Sequence, residues 1–111
     1  MPQHYLAFDL GASSGRAVIG TFDGATLALE ECHRFPNRII RVLDHLHWDL
    51  LGLFEQMQEG LTLCARSGRA IHSIGVDTWG VDFALLGRNM TLLGMPYAYR
   101  DPHTIGIMES A

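Results

Sequence analysis

Three features of the 111-residue sequence predict a mixed α/β fold. Three short apolar runs near the start are joined by small-residue turns, one amphipathic helix follows, and a further apolar run comes after it. Short turns join antiparallel neighbours, whereas a helix crossover returns the chain to a parallel one. The expected sheet therefore has three antiparallel strands and a parallel fourth.

The first strand is expected over Tyr5 to Asp9 and the second over Arg16 to Phe22. Asp23-Gly24 is a strong hairpin signal and leads into a third strand from Thr26 to Arg34. The segment Phe35 to His47 carries Pro36, Asn37 and mixed charges, and reads as an irregular connection. Asp49 is placed to N-cap a helix over Leu50 to Ser67, with Gly68 as its C′ residue. Within it Leu50, Phe54, Met57, Leu61 and Cys64 recur at three- and four-residue spacing, which predicts the face packed on the sheet. Trp48 is expected to anchor the helix start.

Ile71 to Asp77 is the fourth strand, parallel to the first. A fifth is expected over Val81 to Leu86, turning at Gly87-Arg88-Asn89 into Met90 to Leu93, and Pro96 to Tyr99 reads as extended. The stretch from His103 to Ala111 begins as a helix and stops without a cap, which suggests a truncated piece.

Length allows one domain or part of one. The net charge of −4 argues against a nucleic-acid partner, since the eight positive residues are scattered arginines and a phosphate backbone needs a basic surface. The N-terminus lacks the regions of a signal peptide, and no apolar run approaches the ~20 residues of a membrane span, so a cytoplasmic location without membrane association is expected. Cys32 and Cys64 are too few for a disulfide framework and are expected as core thiols. His45-Leu46-His47 has no further ligands at usable spacing and reads as surface histidine, and His33 and His72 have no evident partner.

The stretch Asp9-Leu10-Gly11-Ala12-Ser13-Ser14-Gly15-Arg16 carries the chemistry. Gly11 and Gly15 can adopt positive φ, so that N–H groups converge, and Ser13 and Ser14 add hydroxyl donors. Convergent donors suit phosphate, and Asp9 supplies the oxygen that Mg²⁺ prefers, with phosphates and water sharing its sphere. The competing reading is a plain Gly/Ser hairpin turn, because there is neither a lysine nor the usual phosphate-loop spacing. If the first and fourth strands are parallel neighbours, Asp9 and Asp77 both fall at carboxyl ends, where open α/β sheets bind ligands.

DLGASSGR at Asp9 to Arg16, SIGVDTWGVDF at Ser73 to Phe83 and AYRD at Ala98 to Asp101 together resemble the FGGY family of carbohydrate kinases, in its branch acting on L-rhamnulose. The resemblance runs from Leu6 to about Met108. It implies the first part of a ribonuclease-H-like, actin-type ATPase domain, the N-terminal portion of a two-domain kinase in which ATP and sugar meet in a cleft. The implied reaction moves the ATP γ-phosphoryl group to the 1-hydroxyl of L-rhamnulose, with Mg²⁺. Carried over by position, Ala12, Ser13, Ser14, Gly15 and Arg16 form the phosphate loop, Asp9 holds Mg²⁺ through water, and Gly80 leaves room for the ketose. Trp79 and Asp82 flank Gly80, an indole for the sugar's apolar side and a carboxylate for its hydroxyls; a core Trp79 and a turn-capping Asp82 are the open alternatives. Pro102-His103 follows Asp101 where many relatives carry an arginine. The family's general base and adenine pocket lie downstream of Ala111, so the chain alone is expected to be inactive. The other readings are a different FGGY sugar kinase, a further actin-like ATPase, which DTWGVDF argues against, or a non-catalytic interaction module exposing a sheet edge.

Overall fold

The structure, a computed structural model, describes residues 2–104. They form two compact units, one built from residues 2–37 and 51–79 and the other from residues 38–50 and 80–104. Apart from a 3₁₀ turn over Pro102–Thr104, the expected helix start from His103 to Ala111 lies outside the described residues.

In the first unit, β1 (Gln3–Leu10), β2 (Ser14–Phe22), β3 (Leu27–Pro36) and β6 (Ile71–Thr78) form one sheet in the order β3-β2-β1-β6. β1 and β3 run antiparallel to β2, and β6 runs parallel to β1, the mixed arrangement that the sequence predicts. The β2–β3 turn closes on Asp23, whose Oδ1 accepts the N–H groups of Thr26 and Ala25 at 2.7 and 2.9 Å, while Gly24 takes φ +96°. Those hydrogen bonds hold the Asp23 carboxyl below the usual carboxylate range. Opposite Ala17 and Val18, Cys32 is the extra residue of a β-bulge, and its Sγ lies 3.4 Å from Ala17 O.

The helix α1 (Leu50–Arg66) ends as expected, with Gly68 at φ +76° and its N–H on Ala65 O. Its buried face, however, is rotated from the expected stripe. Leu53, Gly60 and Cys64 are buried, whereas Phe54 and Leu61 are 58% and 42% exposed. Both stripes obey the helical period, and Gly60 decides between them: a Cβ there would sit 3.0 Å from Phe8 Cε1 and 3.1 Å from Ala17 Cβ. The glycine lets the helix backbone approach the sheet closely, over a core of Leu6, Phe8, Leu10, Ala17, Ile19 and Phe35. Cys64 is buried and Cys32 half-buried, both free, and burial pushes both thiols up. His33 and His72 do have partners: His33 Nε2 is 2.9 Å from Gln56 Oε1, and His72 meets the Tyr5 ring edge-on.

The second unit corrects two expectations. Part of the segment expected to be irregular is a hairpin of β4 (Ile39–Val42) and β5 (His45–Trp48), turning through Leu43-Asp44 with Leu43 at φ +55°. Trp48 is accordingly a buried strand residue, and its N–H donates to Pro96 O. Ala98 N–H donates to Leu46 O, so Pro96 to Ala98 runs extended beside β5, as expected. The expected fifth strand does not form. Val81 sits at φ +68°, and between Val81 to Leu86 and Met90 to Leu93 the only bridged pair among the described residues is Leu86 with Leu92. The chain still reverses where expected, closed by Gly87 N–H on Thr91 O at 2.6 Å. Among the described residues, no helix is long and apolar enough to cross a membrane.

Candidate functional site

The β1–β2 ladder ends at the Leu10–Gly15 pair, and Gly11 N–H donates to Ser14 O at 2.9 Å. Ala12 and Ser13 are thereby placed at the tip, while Ser14, Gly15 and Arg16 belong to β2. Neither Gly11 nor Gly15 has positive φ, so the expected left-handed conformations are absent here. Glycine is required instead for close approach: a Cβ on Gly15 would clash with the Phe35 ring, and one on Gly11 would lie 2.9 Å from Ser14 O. The polar groups at the tip are the N–H groups of Ala12 and Ser13 and the hydroxyls of Ser13 and Ser14. None of these four donates a hydrogen bond among the described residues.

A residue that the sequence reading passed over braces this loop. Asn37, 7% exposed, donates its backbone N–H to Ser13 O at 3.1 Å and Nδ2 to Gly11 O at 2.9 Å. Both carbonyls bracketing Ala12 are thus tied to the body, which leaves the tip's donors as its unspent polar set. Asn37 Oδ1 is buried and has no partner among the described residues.

Asp9 and Arg16 stand opposite each other on β1 and β2, with Arg16 Nη2 2.9 Å from Asp9 Oδ2. Asp9 is also in register with Asp77 on parallel β6, so the two residues lie side by side near the carboxyl ends of adjacent strands. Among the described residues no group of three or more His, Cys, Asp or Glu could hold a metal ion. One or two carboxylates completed by phosphate oxygens and water is, however, the donor set that suits Mg²⁺, and Asp9 with Asp77 fits it.

Trp79 lies in the first unit, and Gly80 and Asp82 in the second. A Cβ on Gly80 would meet nothing within 4 Å, so the position is open, and the β-branched Val81 beside it adopts φ +68°, a genuine backbone outlier. Asp82 Oδ2 accepts the Trp48 indole N–H at 2.6 Å, a role that neither expectation for it named. Within this unit Asp82, Phe83, Leu93, Tyr97, Tyr99 and His103 help to line a cavity of about 540 Å³.

Bonded to the cavity-lining His103 is Asp101, one of the two buried polar residues among those described. Its Oδ1 accepts Leu46 N–H at 2.5 Å, and its Oδ2 faces His103 N, His103 Nδ1 and His45 Nδ1 at 2.9, 3.0 and 3.2 Å. Burial acts to raise its pKa, but these donors and the charge of His45 win and hold the carboxyl at about 2. His45 and His47 are therefore not simply surface histidines: His47 Nδ1 lies 3.1 Å from Met95 O, and its ring stacks on Tyr97. Pairing across 55 residues of sequence is what hid this cluster.

No family model matches the chain. Its sequence is 53% identical over 110 residues to the rhamnulokinase of Bacteroides thetaiotaomicron, a match covering 99% of this chain and 23% of that protein. The chain is a relative of the rhamnulokinases. The rhamnulokinase of Mannheimia succiniciproducens is 46% identical over 105 residues, covering 93% of this chain and 22% of that protein. The chain thus spans less than a quarter of the length of the rhamnulokinases it matches. Among solved structures, a gluconate kinase from Lactobacillus acidophilus superposes with a TM-score of 0.78 at 17% identity, over 100% of this chain and 22% of its own. A xylulose kinase from the same organism gives 0.77 at 17%, over 98% and 22%. At such identities these two likenesses show the fold alone, the mixed sheet and helix of an actin-like ATPase domain.

Proposed function

We propose that this chain is the N-terminal portion of the N-terminal domain of a cytoplasmic rhamnulokinase, an ATP-dependent enzyme phosphorylating the 1-hydroxyl of L-rhamnulose. The observation that carries this is the 53% identity to a rhamnulokinase, across a chain whose β1–β2 loop keeps its donors unspent beside a carboxylate pair. In this reading the tip of Ala12 to Ser14 receives phosphate, with Gly15 and Arg16 completing the loop. Phosphoryl transfer rests on positioning and charge stabilisation, and the tip's N–H and hydroxyl donors supply both. Asp9 and Asp77 would hold Mg²⁺, which when bound neutralises charge on the phosphates. Gly80 leaves space for the ketose, and Trp79 and Asp82 border it. The general base and the adenine pocket are assigned to the rest of the kinase, so the chain alone has no sugar kinase activity.

A coupled assay with ATP, Mg²⁺ and L-rhamnulose tests this in two arms. The chain alone should give background turnover. The Bacteroides thetaiotaomicron rhamnulokinase carrying this chain in place of its matching segment should phosphorylate L-rhamnulose and lose that activity with Asp9→Asn. Turnover by the chain alone, surviving Asp9→Asn, would show the machinery to lie elsewhere.

A further inference from the structure

We infer that His103 is a hydroxyl-recognising residue of the second unit's cavity, its Nε2 accepting a hydrogen bond from a ligand hydroxyl while Asp101 holds the ring in place. The ligand class, a ketose or similar polyol, rests on the sugar-kinase reading; the geometry of the pair stands without it.

The Asp101 side chain is fully buried, with 0% exposure, and faces four donors. An ionised carboxylate has no proton to give, so an imidazole nitrogen within hydrogen-bond distance of it must carry the hydrogen. His103 therefore presents Nδ1–H to Asp101 at 3.0 Å, and in the neutral ring Nε2 is left as a lone-pair acceptor. That Nε2 makes no hydrogen bond among the described residues. A low carboxyl pKa agrees with the ionised form.

The ring is fixed as well as oriented. It stacks on Tyr97 with centroids 4.5 Å apart and planes 18° apart, and Tyr97 in turn stacks on His47 at 4.7 Å and 28°. The backbone contributes too, because Asp101 Oδ2 also accepts His103 N–H at 2.9 Å, an Asx turn into the Pro102–Thr104 helix. A ring locked along one edge and across one face, with its other nitrogen unspent and its surface bordering a cavity, is built to read one hydroxyl. The cavity's apolar walls, with Tyr97 and Tyr99, suit the C–H faces of a sugar and leave hydroxyl recognition to few groups. One of those few, Asp82, already spends Oδ2 on the Trp48 indole.

The test uses the 111-residue chain with L-rhamnulose as probe. Long-range ¹H–¹⁵N spectra should find His103 as the Nδ1–H tautomer, and the ketose should shift its Nε2 resonance. His103→Phe keeps an aromatic ring on Tyr97 but has no nitrogen, and should weaken ketose binding roughly three- to ten-fold, the loss of one hydrogen bond. Asp101→Asn offers an amide donor to Nδ1 and should switch the ring to the Nε2–H form; should that variant unfold, the wild-type spectrum and His103→Phe still decide. An Nε2–H tautomer in the wild type, or unchanged ketose affinity in His103→Phe, would overturn the inference and leave the kinase reading standing. Absence of any ketose-induced shift in the chain would overturn the assignment of the ketose to this cavity, and with it this role of His103.

Discussion

Asp9 and Arg16 share a single carboxylate oxygen across the β1–β2 ladder, Nε and Nη2 of Arg16 lying 3.0 and 2.9 Å from Asp9 Oδ2. The pair is about half exposed, so its worth to folding is at most about 1 kcal/mol. Asp9→Asn should accordingly leave the thermal midpoint of the chain nearly unchanged. In a full-length kinase carrying this chain, the same change should lower kcat at least ten-fold and leave the KM for the ketose within about two-fold, since on the proposed reading it removes charge near the metal and not from the sugar. Undiminished turnover at saturating Mg²⁺ would remove Asp9 from the metal's surroundings.

Gly80 gives the opposite partition. Nothing lies within 4 Å of where its Cβ would be, so Gly80→Leu should fold normally by circular dichroism. In the full-length kinase it should raise the KM for L-rhamnulose about ten-fold or more while the KM for ATP stays put. Equal increases in both would place Gly80 outside the sugar site.

The residues of the sheet and helix announce themselves because they follow simple periods and turn chemistry: Asp23-Gly24 closes its hairpin, Gly68 ends α1, and β6 falls parallel to β1. The β4–β5 hairpin was hidden because Leu43-Asp44 has no glycine or asparagine at the position that takes positive φ. An apolar run such as Val81 to Leu86 looks like a strand, but a strand needs a partner ladder, and Val81 at φ +68° turns the backbone away from one. At the candidate site, the residue types of the loop were legible and its conformation was not, since Gly11 and Gly15 serve close contact and not left-handed turns. Asn37 and Asp101 were illegible for a further reason: a buried polar residue is defined by partners 26 and 55 residues away.

Asp101 predicts a pH dependence. Its carboxyl is held at about 2 against an ordinary 3.8, so the folded form binds its proton more weakly than the unfolded one. Above about pH 4 the stabilisation is fully present, and it is lost as pH falls from about 3.8 through 2. Urea unfolding of the second unit, followed by Trp48 fluorescence, should show a midpoint that drops across that window. Asp101→Asn should be less stable at pH 7, and the gap from wild type should close in acid. Because Asp23 and Glu31 are also lowered, the difference between the two proteins, and not either curve alone, isolates Asp101. A gap that does not change with pH would mean that Asp101 contributes shape only.

At the helix–sheet contact, Gly60→Leu should destabilise the first unit by about 1–3 kcal/mol, the range for overpacking a filled core. The new side chain would enter where even a Cβ lies 3.0 Å from the Phe8 ring. Phe54→Ser, on the exposed side of the same helix, should cost under about 1 kcal/mol. Should Phe54→Ser prove the costlier of the two, the stripe through Phe54 and Leu61 would be the true buried face.

Asn37 permits the sharpest separation of loop geometry from loop chemistry. Asn37→Ala keeps the backbone bond to Ser13 O and loses only the bond from Nδ2 to Gly11 O, so one carbonyl beside Ala12 is released. A hydrogen bond is worth about 0.5–1.5 kcal/mol, and the loss is offset because the substitution also removes the partnerless Oδ1 from the interior. The net change should be under about 1 kcal/mol. Asn37→Asp is harsher: it sets a carboxylate oxygen against Gly11 O in a buried site, and should be the less stable of the two, most clearly above the carboxyl's pKa. Amide exchange separates the local effect from the global one. Both variants should speed exchange at Gly11, whose N–H donates to Ser14 O, while the centre of β1 is unaffected in Asn37→Ala. In the full-length kinase, Asn37→Ala should raise the KM for ATP several-fold at unchanged KM for the ketose, because the loop's donors are less well fixed and the sugar contacts are untouched. An Asn37→Ala enzyme with wild-type ATP kinetics, despite faster exchange at Gly11, would show that the loop does not need this brace to receive phosphate.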